Sequence, residues 1–237
     1  VQIVDPERHT NRILNQMKTD LRLNKMPVHI ECFDNSNIQG SNPVASCIVF
    51  KNSKPSKKDY RHFNIKTVEG PDDYASMEEV VYRRYRRMLD EKLSLPSLII
   101  IDGGKGQLSS SIKALKKLNL ENTIAILGIA KRLEEIFYPN DPVPLYLNKK
   151  SETLKVIQQM RNEAHRFAIN FHRNKRSKQA LTSSFDGIPG IGEKTKTALL
   201  KRFKSLKNIK ETSLELLISE VGESKAKKLK DFLNSMS

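Results

Sequence analysis

The sequence predicts an α/β domain, a mixed five-stranded sheet flanked by helices, followed by a small all-helical unit. Three observations point there. Three strand-like runs lie close together near the start, separated by turns of Asn, Gly, Ser, Pro and Lys. A bare apolar run at 98–101 stops at Asp-Gly-Gly and leads into a helix. Residues 185–237 repeat a plan of turn, glycine and lysine-rich helix.

Residues 6–24 (PERHTNRILNQMKTDLRLN) place Ile13, Met17 and Leu21 four apart, a thin apolar stripe on a polar helix. VHIECFD (28–34), PVASCIVFK (43–51) and DYRHFNIK (59–66) follow as strands, and their short connections favour an antiparallel meander. After Gly70-Pro71-Asp72 a helix is expected to about residue 93, and 98–101 is then a strand of the kind buried on both faces. DGGKGQ ends that strand, a helix runs to about 118, 124–130 gives a fifth strand, and EIFYPNDPVPLYL (135–147) reads as a hairpin. A long helix covers 151–173. NKRSKQALT (174–182) is polar, basic and poor in large apolar residues, which divides the chain into a first domain at 1–175, a linker at 176–184 and a second domain at 185–237. Within the second domain, IPGIGEKTKTALLKRF (188–203) and SEVGESKAKKLKDFL (219–233) form a weak internal repeat.

Composition narrows the partners. Across 237 residues, 42 Lys and Arg stand against 27 Asp and Glu, a formal charge of +15 that makes nucleic acid the expected partner. No apolar run of about 18 residues and no signal-peptide core is present, so the chain reads as soluble and cytoplasmic, with no membrane partner. Cys32 and Cys47 lie in apolar strands and read as buried reduced thiols rather than a disulfide or zinc site. The start at Val1, without an initiator Met, suggests a fragment of something longer.

The chemistry concentrates at strand ends. Asp34 and Asp102 each follow apolar residues and precede small ones, and if their strands are neighbours both carboxylates emerge on one sheet edge. Two adjacent carboxylates repel at neutral pH unless a divalent cation lies between them or one is protonated, and hard oxygen donors suit Mg2+ or Mn2+. The alternative makes Asp34 an Asx-turn former and Asp102 a helix cap. RNEAHRFAINFHRNKR (161–176) places Arg161, His165 and Ile169 one turn apart on a helix that would cross that edge, with His165 as ligand or proton carrier. DGGKGQ matches neither GxxxxGK[ST] nor GxGxxG, and its glycines, next to Lys105, read as room for a backbone or phosphate beside Asp102. VVYRRYRRML (80–89) offers Arg83, Arg84, Arg86 and Arg87 as phosphate contacts, the alternative being a solvated basic face. Gly190 and Gly192 with Lys194 and Lys196, and Gly222 with Lys225, read as backbone grips on phosphate at helix N-termini.

Five ordered blocks, IECFDNSN..GSNPVASCIVF, LIIIDGGKGQL, EEIFYP, NEAHRFAINFHR and IPGIGEKTKTALLKRF, resemble the C-terminal half of the UvrC family, the nucleases of the bacterial excinuclease ABC. The resemblance implies an RNase H-like endonuclease domain followed by a tandem helix-hairpin-helix DNA-binding domain. It also implies a divalent-metal-dependent endonuclease of nucleotide excision repair within the SOS response. The family's catalytic and metal-binding Asp-Asp-His set falls on Asp34, Asp102 and His165, and a further acidic position falls on Asp73 in GPDDYASM, which is alternatively a helix cap. Two departures stand out: Asn37 where members often carry His, and Asn162 where they carry Asp. The family's amino-terminal nuclease domain and most of its segment for the excinuclease helicase, UvrB, fall outside this chain. The resemblance therefore implies incision 5′ to a lesion in double-stranded damaged DNA. The rival expectations are a non-catalytic DNA-binding scaffold and a related RNase H-like junction nuclease.

Overall fold

The structure is a computed structural model that describes residues 5–36, 44–68, 70, 72–130, 135–186 and 188–235, of which 36, 172–184 and 235 are described by backbone alone. Asn37 lies outside the described residues. The chain divides into two compact units, 1–171 and 172–237.

Asp5 caps the first helix, α1 (Pro6–Asp20), accepting from the Glu7 N–H at 3.0 Å with Pro6 preset at the first helical position. The strands β1 (His29–Ser36), β2 (Val44–Lys51), β3 (Lys54–Pro55) and β4 (Arg61–Asn64) precede α2 (Asp73–Asp90). Then come β5 (Leu98–Asp102), α3 (Lys105–Lys117), β6 (Ala125–Ile129), β7 (Ile136–Phe137) and α4 (Glu152–Ser184). The sheet runs β3-β2-β1-β5-β6-β7, with β4 also paired to β2. β1, β5 and β6 are parallel, while β2, β4 and β7 run antiparallel to their neighbours. The mixed sheet is as expected, but it holds seven strands rather than five. Of the two additions, β3 is a residue pair too short for any periodicity to mark, and β7 lies in the segment expected as a hairpin at 135–147. In the 135–147 segment only Ile136 and Leu145 exchange both backbone bonds, at 3.0 and 2.8 Å.

Side-chain alternation sorts the core into two faces. Ile30, Cys32, Ile48, Leu98 and Ile100 meet α1 and α4 through Ile13, Met17, Ile157, Met160 and Ala164. Phe33, Cys47, Ile99 and Ile101 meet α2 and α3 through Met77, Val80, Tyr85, Leu108 and Leu115. β5 is buried along its whole length, which is why it reads as an unbroken apolar run. Cys32 and Cys47 are buried free thiols.

α4 continues to Ser184, so residues 176–184, expected as a linker, are helical. That stretch contains no Gly or Pro to stop a helix, and Lys, Arg, Gln and Ala all favour one. The second unit adds α5 (Glu193–Phe203), α6 (Leu206–Glu211), α7 (Leu214–Val221) and α8 (Glu223–Ser235). They enclose a core of Phe185, Ile188, Leu199, Phe203, Ile209, Leu217, Ala226 and Leu229.

Candidate active site

Asp34 sits inside β1 rather than at its end, because the strand continues to Ser36. Across the sheet it faces Ser46 of β2 on one side and Asp102 of β5 on the other, and Ser46 in turn faces His62 of β4. One polar row, His62–Ser46–Asp34–Asp102, therefore crosses four strands on the α4 face. Asp34 is 1% exposed and Asp102 4%. His165 of α4 brings Nδ1 to 3.5 Å from Asp34 Oδ2, an ion-pair distance longer than a normal hydrogen bond, with its side chain 58% exposed. The two aspartates make their charge felt at Cys32: burial pushes that thiol's pKa up, Asp102 and Asp34 push it further, and Arg161 opposes them. Arg161, one turn before His165, thus carries a charge that opposes theirs at Cys32.

The strand-pairing position of Asp34 removes the Asx-turn alternative. Asp102 is not the cap of α3 either, since Gly104 occupies that position without a side-chain bond. The cap of α2 is Asp72, whose Oδ1 accepts from Tyr74 and Ala75 N–H at 2.9 and 3.0 Å. Asp73 is the first helical residue, and Asn35 Nδ2 donates to its carbonyl at 2.8 Å, which pins the start of α2 beside Asp34. An open cleft of about 660 Å³ lies between Asp73 and Tyr74 on one side and Gly104 to Gln107 on the other. Only part of the room left by the DGGKGQ glycines is open. A Cβ on Gly103 would fall 1.5 Å from Gln107 Oε1, and one on Gly106 would fall 2.5 Å from the Tyr74 ring, whereas Gly104 has nothing within 4 Å. Lys105 Nζ donates to the Pro142 carbonyl at 2.8 Å and lies over the Phe137 ring.

The donor chemistry of the carboxylate pair fits a hard divalent ion. Among the described residues, no group of three or more His, Cys, Asp and Glu side chains stands ready to hold one, so the fit rests on Asp34 and Asp102.

Residues 18–169, the stretch that builds this row, match the UvrC RNase H endonuclease domain. The chain belongs to that family. Residues 185–237 match the helix-hairpin-helix motif, so an RNase H-like domain precedes a helix-hairpin-helix region. The UvrABC system protein C of Flavobacterium psychrophilum is 69% identical over 236 residues, covering 100% of this chain and 39% of that protein. Its counterpart from Bacteroides fragilis is 50% identical over 236 residues, covering 98% and 38%. This chain accordingly spans about 39% of the length of such relatives. A structure of Ciona intestinalis endonuclease V with a 24mer DNA aligns at 16% identity and TM-score 0.35, over 66% of this chain and 67% of that one, too slight a likeness to carry an argument.

Within this UvrC-family domain the four arginines of α2 divide, and one is corrected. Arg84 is 11% exposed and grips the fully buried Glu31 through Nε at 3.1 Å and Nη2 at 2.5 Å, while the Tyr85 hydroxyl donates to the same carboxylate at 3.0 Å. It is a core residue and not a phosphate contact. Burial alone would raise the Glu31 pKa, but the His29 ring, with Nε2 at 3.4 Å, and the hydrogen bonds and charge of Arg84 outweigh it and hold it at about 2. A charge inside the apolar run IECF is the sequence's sign that a buried partner must exist. Arg83 bonds Glu79 at 2.7 Å and the Asn64 carbonyl at 2.8 Å, while Arg86 and Arg87 pair with Asp90 and Glu91 on the exposed face. At 1.5 Å per residue Arg86 lies roughly 20 Å along α2 from Asp73, so it does not line the carboxylate site.

The family's second region shows a similar division. Gly190 (φ 88°) and Gly222 (φ 85°) adopt the left-handed conformation that suits glycine, and Gly192 caps α5. Lys194 is exposed, as a phosphate contact must be. Lys196 is corrected: its side chain is 7% exposed, and its ammonium pairs with Asp186 and, at 2.9 Å, with Glu193. Those two hydrogen bonds, Asp186 first, raise its pKa. Helical spacing explains the difference, since Lys196 lies one turn from the buried Leu199 and the partly buried Leu200 while Lys194 does not. Lys225 Nζ donates to Thr195 Oγ1 at 3.3 Å.

Proposed function

We propose that the chain is the endonuclease portion of a nucleotide excision repair nuclease, cutting a DNA phosphodiester 5′ to a lesion with Mg2+ or Mn2+ at Asp34 and Asp102. The observation that carries this is the register of those aspartates on adjacent parallel strands, both nearly sealed from water, in a chain of the UvrC endonuclease family. Such an ion, when bound, supplies charge neutralisation at the phosphate and an activated water. Asp34 and Asp102 orient it. His165, exposed and 3.5 Å from Asp34, moves a proton between the site and solvent. Asp73 borders the open cleft beside Gly104, where the substrate strand would enter. Residues 1–175 would form the endonuclease domain, and 185–237 would hold damaged duplex DNA by its phosphates through Gly190, Gly192, Lys194, Gly222 and Lys225. The other partner would be the excinuclease helicase, UvrB. No helix among the described residues is long and apolar enough to cross a membrane.

The test is nicking of supercoiled plasmid with Mg2+ or Mn2+, beside Asp102→Asn and a metal-free control, then mapping of the cut on a singly damaged, end-labelled duplex in the full repair complex. Nicks that need the ion and vanish in Asp102→Asn, with cuts on the 5′ side, support the proposal. Nicking that persists without the ion or in Asp102→Asn removes the site, and cuts on the 3′ side alone remove the incision assignment.

A further inference from the structure

The polar row does more than bring two carboxylates together. Its other two members, Ser46 and His62, both reach α4. Ser46 is fully buried and its Oγ donates to the Ala164 carbonyl at 3.1 Å. His62 brings Nε2 to 3.1 Å from the Phe167 carbonyl, and its ring stacks on Phe167 with centroids 3.7 Å apart and on Phe171 at 4.3 Å. A carbonyl only accepts, so His62 carries its proton on Nε2. Each carbonyl uses one lone pair in the helix and offers the other to the sheet. The two bonded carbonyls flank His165, one residue before it and two after.

We propose that Ser46 and His62 are positioning residues that fix the axial and rotational setting of α4, so that His165 meets Asp34. The need follows from what else holds the helix there. Met160 and Ala164 of α4 pack into the core on that face, contacts that are non-directional and tolerate sliding. The other bonds to the helix, Tyr60 Oη donating to Glu163 Oε1 at 3.2 Å and Thr153 Oγ1 donating to Asp20 Oδ2 at 2.6 Å, join side chains that can follow a shifted helix. A slip of one residue moves the helix about 1.5 Å and turns it about 100°, which would carry His165 off Asp34 altogether. Hydrogen bonds to two named carbonyls permit one setting only. Ser46 is also the cross-strand neighbour of Asp34, so the residue that sets the helix and the residue the helix must reach share one rung of the sheet.

This deepens the nuclease proposal and rests on it for its kinetic arm alone. Ser46→Ala, Ser46→Thr and His62→Phe would be compared with the unaltered chain. Three readouts apply: turnover in plasmid nicking, affinity for duplex DNA, and the NMR resonances of the His165 ring. Ser46→Ala should lower turnover about 10- to 100-fold, the scale of a misplacement near 1 Å, with DNA affinity within about twofold. The His165 ring resonances should shift, and Ser46→Thr, which keeps the hydroxyl, should restore both. His62→Phe keeps the aromatic stack, removes the bond to Phe167, and should move the same resonances. Unchanged His165 resonances in both Ser46→Ala and His62→Phe overturn the proposal, as does a turnover loss that follows melting temperature and that Thr does not rescue. If Ser46→Ala fails to fold, His62→Phe decides. If the unaltered chain does not nick DNA, the nuclease proposal fails while the resonances still test the clamp.

Discussion

Asp34 and Asp102 are direct neighbours in register on two parallel strands, and less than a twentieth of either is open to water. Like charges so placed act as one unit. Asp34→Asn and Asp102→Asn should each reduce nicking by at least about a hundredfold, and the double variant should be little worse than either single one. Filter-binding to duplex DNA should be retained in all three, since neither carboxylate holds the DNA backbone.

The buried Glu31–Arg84 pair joins β1 to α2 from within the core. Removing one partner strands the other, so Arg84→Ala should cost about 3–5 kcal/mol in urea unfolding. Arg86→Ala and Arg87→Ala, whose ion pairs are solvent-exposed, should stay within about 0.5 kcal/mol.

The same carboxylate sets an acid limit. Its folded pKa of about 2 lies below its ordinary 4.5, so the stabilisation is complete above pH 4.5 and drains away as pH falls toward 2. The total at stake is on the order of 3 kcal/mol. Urea titrations between pH 6 and pH 2.5 should show a stability slope that is shallower in Glu31→Gln, the remainder coming from carboxylates such as Glu79 and Glu163, which are also held below their ordinary values. Equal slopes in the two proteins would remove Glu31 as its source.

Two lysines two residues apart should separate in function. Lys194→Ala should weaken duplex binding and lower the salt dependence of log K by about 1, with melting unchanged. Lys196→Ala removes a side chain packed into the helical core and its pairing with two exposed carboxylates, so it should lower the melting temperature while leaving the salt dependence intact. Reversed outcomes would return Lys196 to the phosphate grip.

The strands that carry the site are legible in the sequence because the apolar runs are unambiguous and because Asp34 and Asp102 interrupt them, whereas the adjacency of β1 and β5 enters there only as a condition. A strand needs no carboxylate at a core position, so each interruption marks chemistry or a partner. The short strand β3 is not legible, since two residues carry no period, whereas β7 lies in the segment read as a hairpin. The fate of Arg84 and Lys196 is hidden for a related reason. A run of cations reads alike whether solvated or buried, and burial is decided by Glu31 and by Asp186 and Glu193, neither predictable from the run itself. Ser46 gives no signal of its own, because a serine in a strand acquires meaning only when its cross-strand neighbour is known. The extension of α4 through 176–184 is in the sequence, as an absence of Gly and Pro, but its basic polar composition looks like a connection.

The mixed order of the sheet also sets a timetable. β1 pairs first with β2, its near neighbour in sequence, but its other partner, β5, places Asp102 68 residues beyond Asp34 (102 − 34), and His165 follows 131 residues beyond it (165 − 34). Contacts of such long range close late, after local hairpins and helices have formed. A chain still emerging from the ribosome can bring Asp34 beside Ser46 before Asp102 and His165 have been made. No half-made form of the protein has the complete row.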